Sequence, residues 1–150
     1  MTRTELLAFM RGHRYAVQAS VSGASAPQAA VVGIVVGDDL SVFFDTLGSS
    51  RKVRNLRRNR RIALVIGGVS GGRDERSVQF EGVADEPAGA ELARLKERYF
   101  AAFPDGRERE SWPDITYVRA RPTWIRYCDY GTSPPVMVEF DTAALGGSEP

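Results

Sequence analysis

The run Arg51-Lys52-Val53-Arg54-Asn55-Leu56-Arg57-Arg58-Asn59-Arg60-Arg61, introduced by Leu47-Gly48-Ser49-Ser50, constrains this chain more than any other feature. Seven of its eleven residues are basic, of 20 Lys and Arg in all. It lies between two strand-like stretches, Leu40–Thr46 and Ile62–Ile66, and so reads as a short helix bridging two strands. Ser49 or Ser50 is its N-cap. Arg51 and Lys52 then fall in the first turn, where the helix dipole and unpaired N–H groups favour negative charge. Cations there cost about 0.3–1 kcal/mol each, and a bound anion reverses the sign. Hydroxyls, free N–H groups and two cations at one helix start are the parts of a phosphate site. Taken alone, the run reads first as a solvated face, with a small-ligand phosphate site and a patch for nucleic-acid phosphates as the alternatives.

The rest of the chain narrows those readings. A chain of 150 residues, 43% apolar, fits one domain with a real core, and its net charge of +1 makes the basic run local. That argues against a dedicated nucleic-acid binder, whose charge extends over a face. One cysteine, Cys128, leaves no intrachain disulfide, and with only His13 beside it no ordinary zinc site is expected. His13 reads as the C-terminal end of a first helix, favourable to the dipole. The longest apolar run, Ala29–Val36, is too short to span a bilayer, and no export signal is visible. The expectation is a cytoplasmic protein without membrane contact.

Along the chain, Thr2-Arg3-Thr4-Glu5 is a capping box opening a helix to about Arg11. Tyr15–Val21 alternates as a half-buried strand. Gln28–Val36 is continuously apolar, which predicts cover on both faces, and Gly33 within it predicts a bulge or a close approach by another group. One barrel interior covers only alternate residues, so Val31, Val32, Ile34 and Val35 call for a second subunit or a packed helix. A Gly-rich loop at Gly67–Gly72 precedes an alternating strand, Ser77–Ala84. Pro87 starts a helix reaching about Phe103, with Leu92, Leu95, Tyr99 and Phe103 as its apolar stripe. Two strands flank Pro122, at Ile115–Arg119 and Thr123–Tyr127, and another spans Val136–Phe140. Residues 1–140 form one domain, and 141–150 a loose tail. Short strands joined by turns, with helices at three places, predict a mainly β chain: an antiparallel barrel decorated by about three helices.

Phe44-Asp45-Thr46-Leu47-Gly48-Ser49-Ser50-Arg51-Lys52, with Asn55-Leu56 and Asn59 before a β-rich segment, resembles the pyridoxamine 5′-phosphate oxidase-like family of FMN-binding split barrels. The similarity extends over Gln28–Val36, Val78–Ala84 and the helix carrying Tyr99-Phe100, most of residues 5–130. The resemblance implies that Ser50, Arg51 and Lys52, beside Ser49, hold the FMN phosphate. It places Asp45 and Thr46 beside the flavin, the backbone of Val31, Val32 and Gly33 against the ring, and Ser77 near the ring's edge. It implies a homodimer with flavins between subunits. It implies no catalytic side chain, because the flavin carries the chemistry.

The departures bear on substrate. The family's oxidases have an Arg and a Lys bounding the strand that here reads Ala29–Ile34, an arginine where Phe103 stands, and a C-terminal Trp, Arg and His segment. None of these is present. A phosphorylated substrate would forgo charge-assisted bonds of about 1.5–3 kcal/mol each, which argues against vitamin B6 oxidation. The reading is therefore an FMN-dependent oxidoreductase acting on an unidentified, uncharged or aromatic small molecule. Two alternatives stay open. The same barrel binds a deazaflavin cofactor or haem, or the chain is a non-enzymatic flavin- or nucleic-acid-binding protein that uses Arg51–Arg61.

Overall fold

Thr2 opens the first helix as the capping box predicts. Its Oγ1 accepts from the Glu5 N–H (3.1 Å), and Glu5 Oε2 accepts from the Thr2 N–H (2.6 Å). In the computed structural model, which describes residues 1–68, 74–141 and 143–146, this helix is α1 (Arg3–Arg11). It ends at Gly12, so His13 lies outside it. The His13 ring instead sits against Phe9, with Nδ1 2.9 Å from the Phe9 carbonyl.

The chain continues through β1 (Tyr15–Val21), β2 (Pro27–Gly33), β3 (Val35–Val36), β4 (Val42–Leu47) and α2 (Arg51–Arg58). After these come β5 (Arg61–Gly67), β6 (Arg76–Asp85), α3 (Gly89–Ala102), α4 (Gly106–Arg109), β7 (Ile115–Asp129) and β8 (Val136–Phe140). All neighbouring strands are antiparallel, in the order β2-β1-β5-β6-β7-β4-β3, and β8 pairs the far end of β7. β2 and β3 stand at opposite ends of that order, yet only Ile34 separates them in sequence. The sheet therefore curls back on itself, as a split barrel does. The inward residues of alternating strands fill it, among them Ala16, Leu64, Ile66, Val78, Phe80 and Ile125. A smaller cluster, Phe43, Leu95, Tyr99, Phe100, Phe103 and Tyr117, forms where α3 covers the outside of β4 and β7.

The structure corrects several boundaries. The apolar stretch at 28–36 is two strands, because Ile34 hands the chain from one sheet end to the other. Its N–H donates to the Arg14 carbonyl (2.8 Å). Gly33 takes a close approach, as predicted: a Cβ there would lie 2.9 Å from Cζ of Phe103. Cover of this stretch is uneven. Val32 and Ile34 are buried in the barrel and Val35 packs on the α3 cluster, but Val31 is 68% exposed. β4 starts at Val42, because Leu40 adopts φ 65° in the tight turn after Gly37 and buries its side chain there. Helix α2 stops at Arg58, and Arg61 already belongs to β5.

Helix α3 begins at Gly89 (φ 64°), after an extended Ala88, and Pro87 stays outside it. The two strands expected around Pro122 are one, β7. Pro122 falls between the residues paired with β4 (115–120) and those paired with β8 (125–129), where the lack of an N–H is tolerated. Opposite it the β6 register shifts at Glu81/Gly82, and a Cβ on Gly82 would meet the Arg121 carbonyl oxygen at 2.2 Å. The short helix α4 was not foreseen, making four helices in all among the described residues. Leu145 is buried in the main core. Residues 69–73 of the Gly-rich loop region and 142 and 147–150 of the expected tail lie outside the described residues. No helix among the described residues is long and apolar enough to cross a membrane.

Candidate functional site

The polar corner at the start of α2 is assembled by the turn that feeds it. Gly48 donates its N–H to the Asp114 carbonyl (2.7 Å), and Ser49 donates its own to Asp114 Oδ2 (2.8 Å). Hydrogen bonding from the Ser49 side chain, and then from its backbone, holds the Asp114 carboxyl below its usual pKa. Gly48 is required here, because a Cβ would lie 2.7 Å from Asp114 Oδ1 and 2.8 Å from Thr116 Oγ1. The turn delivers Ser50 as the N-cap: its backbone is extended and its Oγ faces the Val53 N–H at 3.5 Å. At that distance the cap bond is weak, leaving acceptor and donor capacity on the hydroxyl.

Thr46, Ser50 and Lys52 converge. Lys52 Nζ donates to Thr46 Oγ1 (2.9 Å), and Thr46 Oγ1 lies 3.4 Å from Ser50 Oγ. Lys52 makes no ion pair among the described residues, and burial lowers its pKa. By helix geometry, the N–H groups of Arg51 and Lys52 have no intrahelical acceptor. A partly desolvated ammonium, two hydroxyls and free N–H groups without a counter-ion form a corner that a phosphate would complete.

Arg51 points out of this corner along the neighbouring face of α2. With Arg54, Asn55 and Gln28 it lines a recess of about 330 Å³ against the β1–β2 hairpin. Neither Arg51 nor Arg54 pairs with any group among the described residues. Other cations of the run are occupied. Arg57 makes a two-pronged bond to Glu86 (2.8 and 2.9 Å), Arg60 Nε donates to the Ala84 carbonyl (3.3 Å), and the Arg58 guanidinium fills the space a Gly23 side chain would take.

The remaining residues named from the sequence are dispersed. The Asp45 side chain turns away from the corner, toward the helices: its Oδ1 accepts from the Tyr99 hydroxyl (2.9 Å) and its Oδ2 from Arg109 Nε (2.8 Å). Burial, with the neighbouring carboxylate, raises the Tyr99 pKa. Ser49 contributes its backbone to the turn while its side chain stays exposed. Val31 faces outward, Val32 lies inside the barrel and Gly33 lies under Phe103. Ser77 pairs with Cys128 near one end of β7, whereas Thr46 pairs with Thr116 near the other. One chain does not bring Ser77 to the corner.

Sequence reasoning gave no role to the Asp114 or Gln28 side chains and did not pair Asn55 with Ser20. Asn55 is buried beneath Arg51, four residues on, and its Nδ2 donates to Ser20 Oγ (3.1 Å) inside the barrel, fixing α2 to β1. The i,i+4 spacing from Arg51 was the available signal for Asn55. Asp114, 65 residues from Ser49, had none.

Solved structures share the fold. A haem-binding protein from Mycobacterium smegmatis superposes with a TM-score of 0.79 at 20% identity over 93% of this chain, and a protein of unknown function from Agrobacterium tumefaciens with 0.74 at 22% over 82%. The chain spans 58% and 56% of the length of those two proteins. A pyridoxamine 5′-phosphate oxidase-related, FMN-binding protein from Nostoc punctiforme superposes with 0.69 at 11% identity, covering 93% of this chain and 89% of that one. No curated protein sequence matches. The barrel with its polar corner between β4 and α2 falls within residues 2–129, which match the sequence model of pyridoxamine 5′-phosphate oxidase, and the chain belongs to that family.

Proposed function

We propose that the chain binds FMN, with the phosphate in the corner formed by Thr46, Ser50 and Lys52 and within reach of Arg51 on the adjoining face of α2, and acts as an oxidoreductase on a small molecule. The observation that carries this reading is the Lys52 ammonium, drawn into a pocket of hydroxyls with no carboxylate among the described residues to balance it. The flavin, when bound, supplies the electron-transfer chemistry. The protein's own residues bind and orient it. Beside Arg51, a recess is lined by Gln28 at the start of β2, the strand whose Val31 and Gly33 would lie along the rest of the cofactor.

A homodimer is part of the proposal. Val31 and Ala29 of β2, Val17 and Ala19 of β1, and Ala63 and Val65 of β5 lie side by side by register on the outer face of the sheet. A second chain would cover this apolar face and would bring its own Ser77 toward the cofactor.

The corner suits a deazaflavin equally, since that cofactor also carries a phosphate. Haem has less support. His13 is packed on Phe9 with Nδ1 against a carbonyl, and Cys128 is fully buried. The dispersal of the arginines onto Glu86, Ala84 and the hairpin gives the nucleic-acid reading little surface to use.

The test is a fluorescence titration with FMN and riboflavin. Replacing Arg51 and Lys52 with Ala should weaken FMN about tenfold or more per lost charged bond and leave riboflavin nearly unchanged. Equal losses for both ligands would overturn the phosphate placement, and a Soret band on the purified protein would favour haem.

A further inference from the structure

We infer that the cleft where the two ends of the sheet meet, between the end of α1 and α3, binds a small organic carboxylate with an apolar body. The cleft encloses about 470 Å³ and shares no lining residue with the phosphate corner or with Val31 and Gly33. The inference therefore stands apart from the flavin reading.

The floor of the cleft is apolar, built by Ile34 and Val35 at the seam and by Ala101 and Ala102 of α3. Three guanidiniums stand around it, each held by a backbone carbonyl, which fixes a cation in place without neutralising it. Arg11 Nε and Arg98 Nη1 donate to the Val36 carbonyl (3.1 and 3.5 Å), and Arg14 Nη2 donates to the Ala102 carbonyl (3.0 Å). Asp38 is the one acidic side chain lining the cleft against these three. Its Oδ1 accepts from Arg11 Nη2 (2.5 Å), and its Oδ2 lies 3.9 Å from Arg98 Nη2. The hydrogen bond from Arg11 holds the Asp38 carboxyl below its usual pKa, so it stays ionised at neutral pH. Arg3 donates to the Asp38 carbonyl, and Arg94 adds positive charge near its carboxylate. Arg14 acts on Asp105 only from a distance, and that carboxylate is bonded to Arg109.

Asp38 thus shows that these arginines take a carboxylate. Its side chain is 81% exposed, so it meets them from the rim and leaves the floor uncovered. Positive charge in excess beside an apolar floor defines the ligand. An inorganic anion answers the charge and leaves the floor wet, and a neutral hydrocarbon does the reverse. An aryl or branched-chain carboxylate meets both, with guanidinium forks on its oxygens.

Naphthalene-2-carboxylate and naphthalene-2-carboxamide, alike in shape and different in charge, are the probes for calorimetric titration of the full chain, with and without FMN. The carboxylate should bind about tenfold or more tightly than the amide. Arg98→Gln should remove most of that preference. Asp38→Asn deletes the competing carboxylate and should tighten the acid about two- to fivefold, with the amide unchanged. Lys52→Met, at the phosphate corner, should leave both affinities as they are. Equal affinity for the two probes, a preference that survives Arg98→Gln, or an acid weakened by Asp38→Asn would overturn the inference. Competition between FMN and the acid would overturn it too, because it would put the acid in the flavin site.

Discussion

Lys52 shows how a binding residue is held against its own preference. Burial lowers its pKa, so the ligand-free chain would be better off without the charge. Because the folded-state value lies below the unfolded one, the unfolded chain holds this proton longer. Stability contributed by the group therefore rises with pH from the lowered value up to the ordinary lysine value. Lys52→Met, of similar length, should raise the melting temperature of the ligand-free protein at pH 8. Its advantage should narrow toward about pH 10 and above, as the wild-type lysine neutralises. The same variant should lose FMN affinity. Thermal denaturation across this range, with and without FMN, checks both halves. A methionine variant less stable than wild type at pH 8 would show that the Thr46 hydrogen bond outweighs the desolvation.

At the scale of elements, one of the contacts that hold the end of α3 to the barrel replaces a side chain. Phe103 occupies the space a Gly33 side chain would fill, stacks on Tyr99 at 4.9 Å and carries the Arg14 guanidinium over its ring at 4.7 Å. Gly33→Ala should therefore cost about 1–3 kcal/mol by displacing the ring. Pairing it with Phe103→Leu should recover part of that loss in denaturant unfolding, as coupled neighbours do. Additive losses would show that the ring is free to move aside. Gly33 also marks what was legible in the sequence. Its presence in an apolar strand announced a close approach, but not that the approaching group was Phe103, 70 residues away. The capping box, the N-cap at Ser50 and the alternation of β1 and β6 were visible because each is local. The join at Ile34, the unity of β7 across Pro122 and the pairing of Asp45 with Arg109 were not, because each is decided by a strand or helix distant in sequence. The corner was legible only in part: Ser50, Arg51, Lys52 and Thr46 are near neighbours in the chain, and Asp114 is not.

For the whole molecule, the outer face around Val31 decides the assembly. Val31→Glu should give a folded monomer, seen by sedimentation and circular dichroism, with weaker flavin binding. A wild-type chain that sediments as a monomer and still retains FMN would refute the shared site. The closure at Ile34 carries a separate consequence for dynamics. A single peptide group stitches the two ends of the sheet together, and its N–H is held by the Arg14 carbonyl. Hydrogen exchange at that one amide is thus a gauge of how often the seam opens, distinct from the global unfolding reported by the amides of β6 and β7. A ligand laid along β2 would tighten the seam, and the slowing of this amide would measure, in free-energy terms, how much of the binding is spent on keeping the barrel shut.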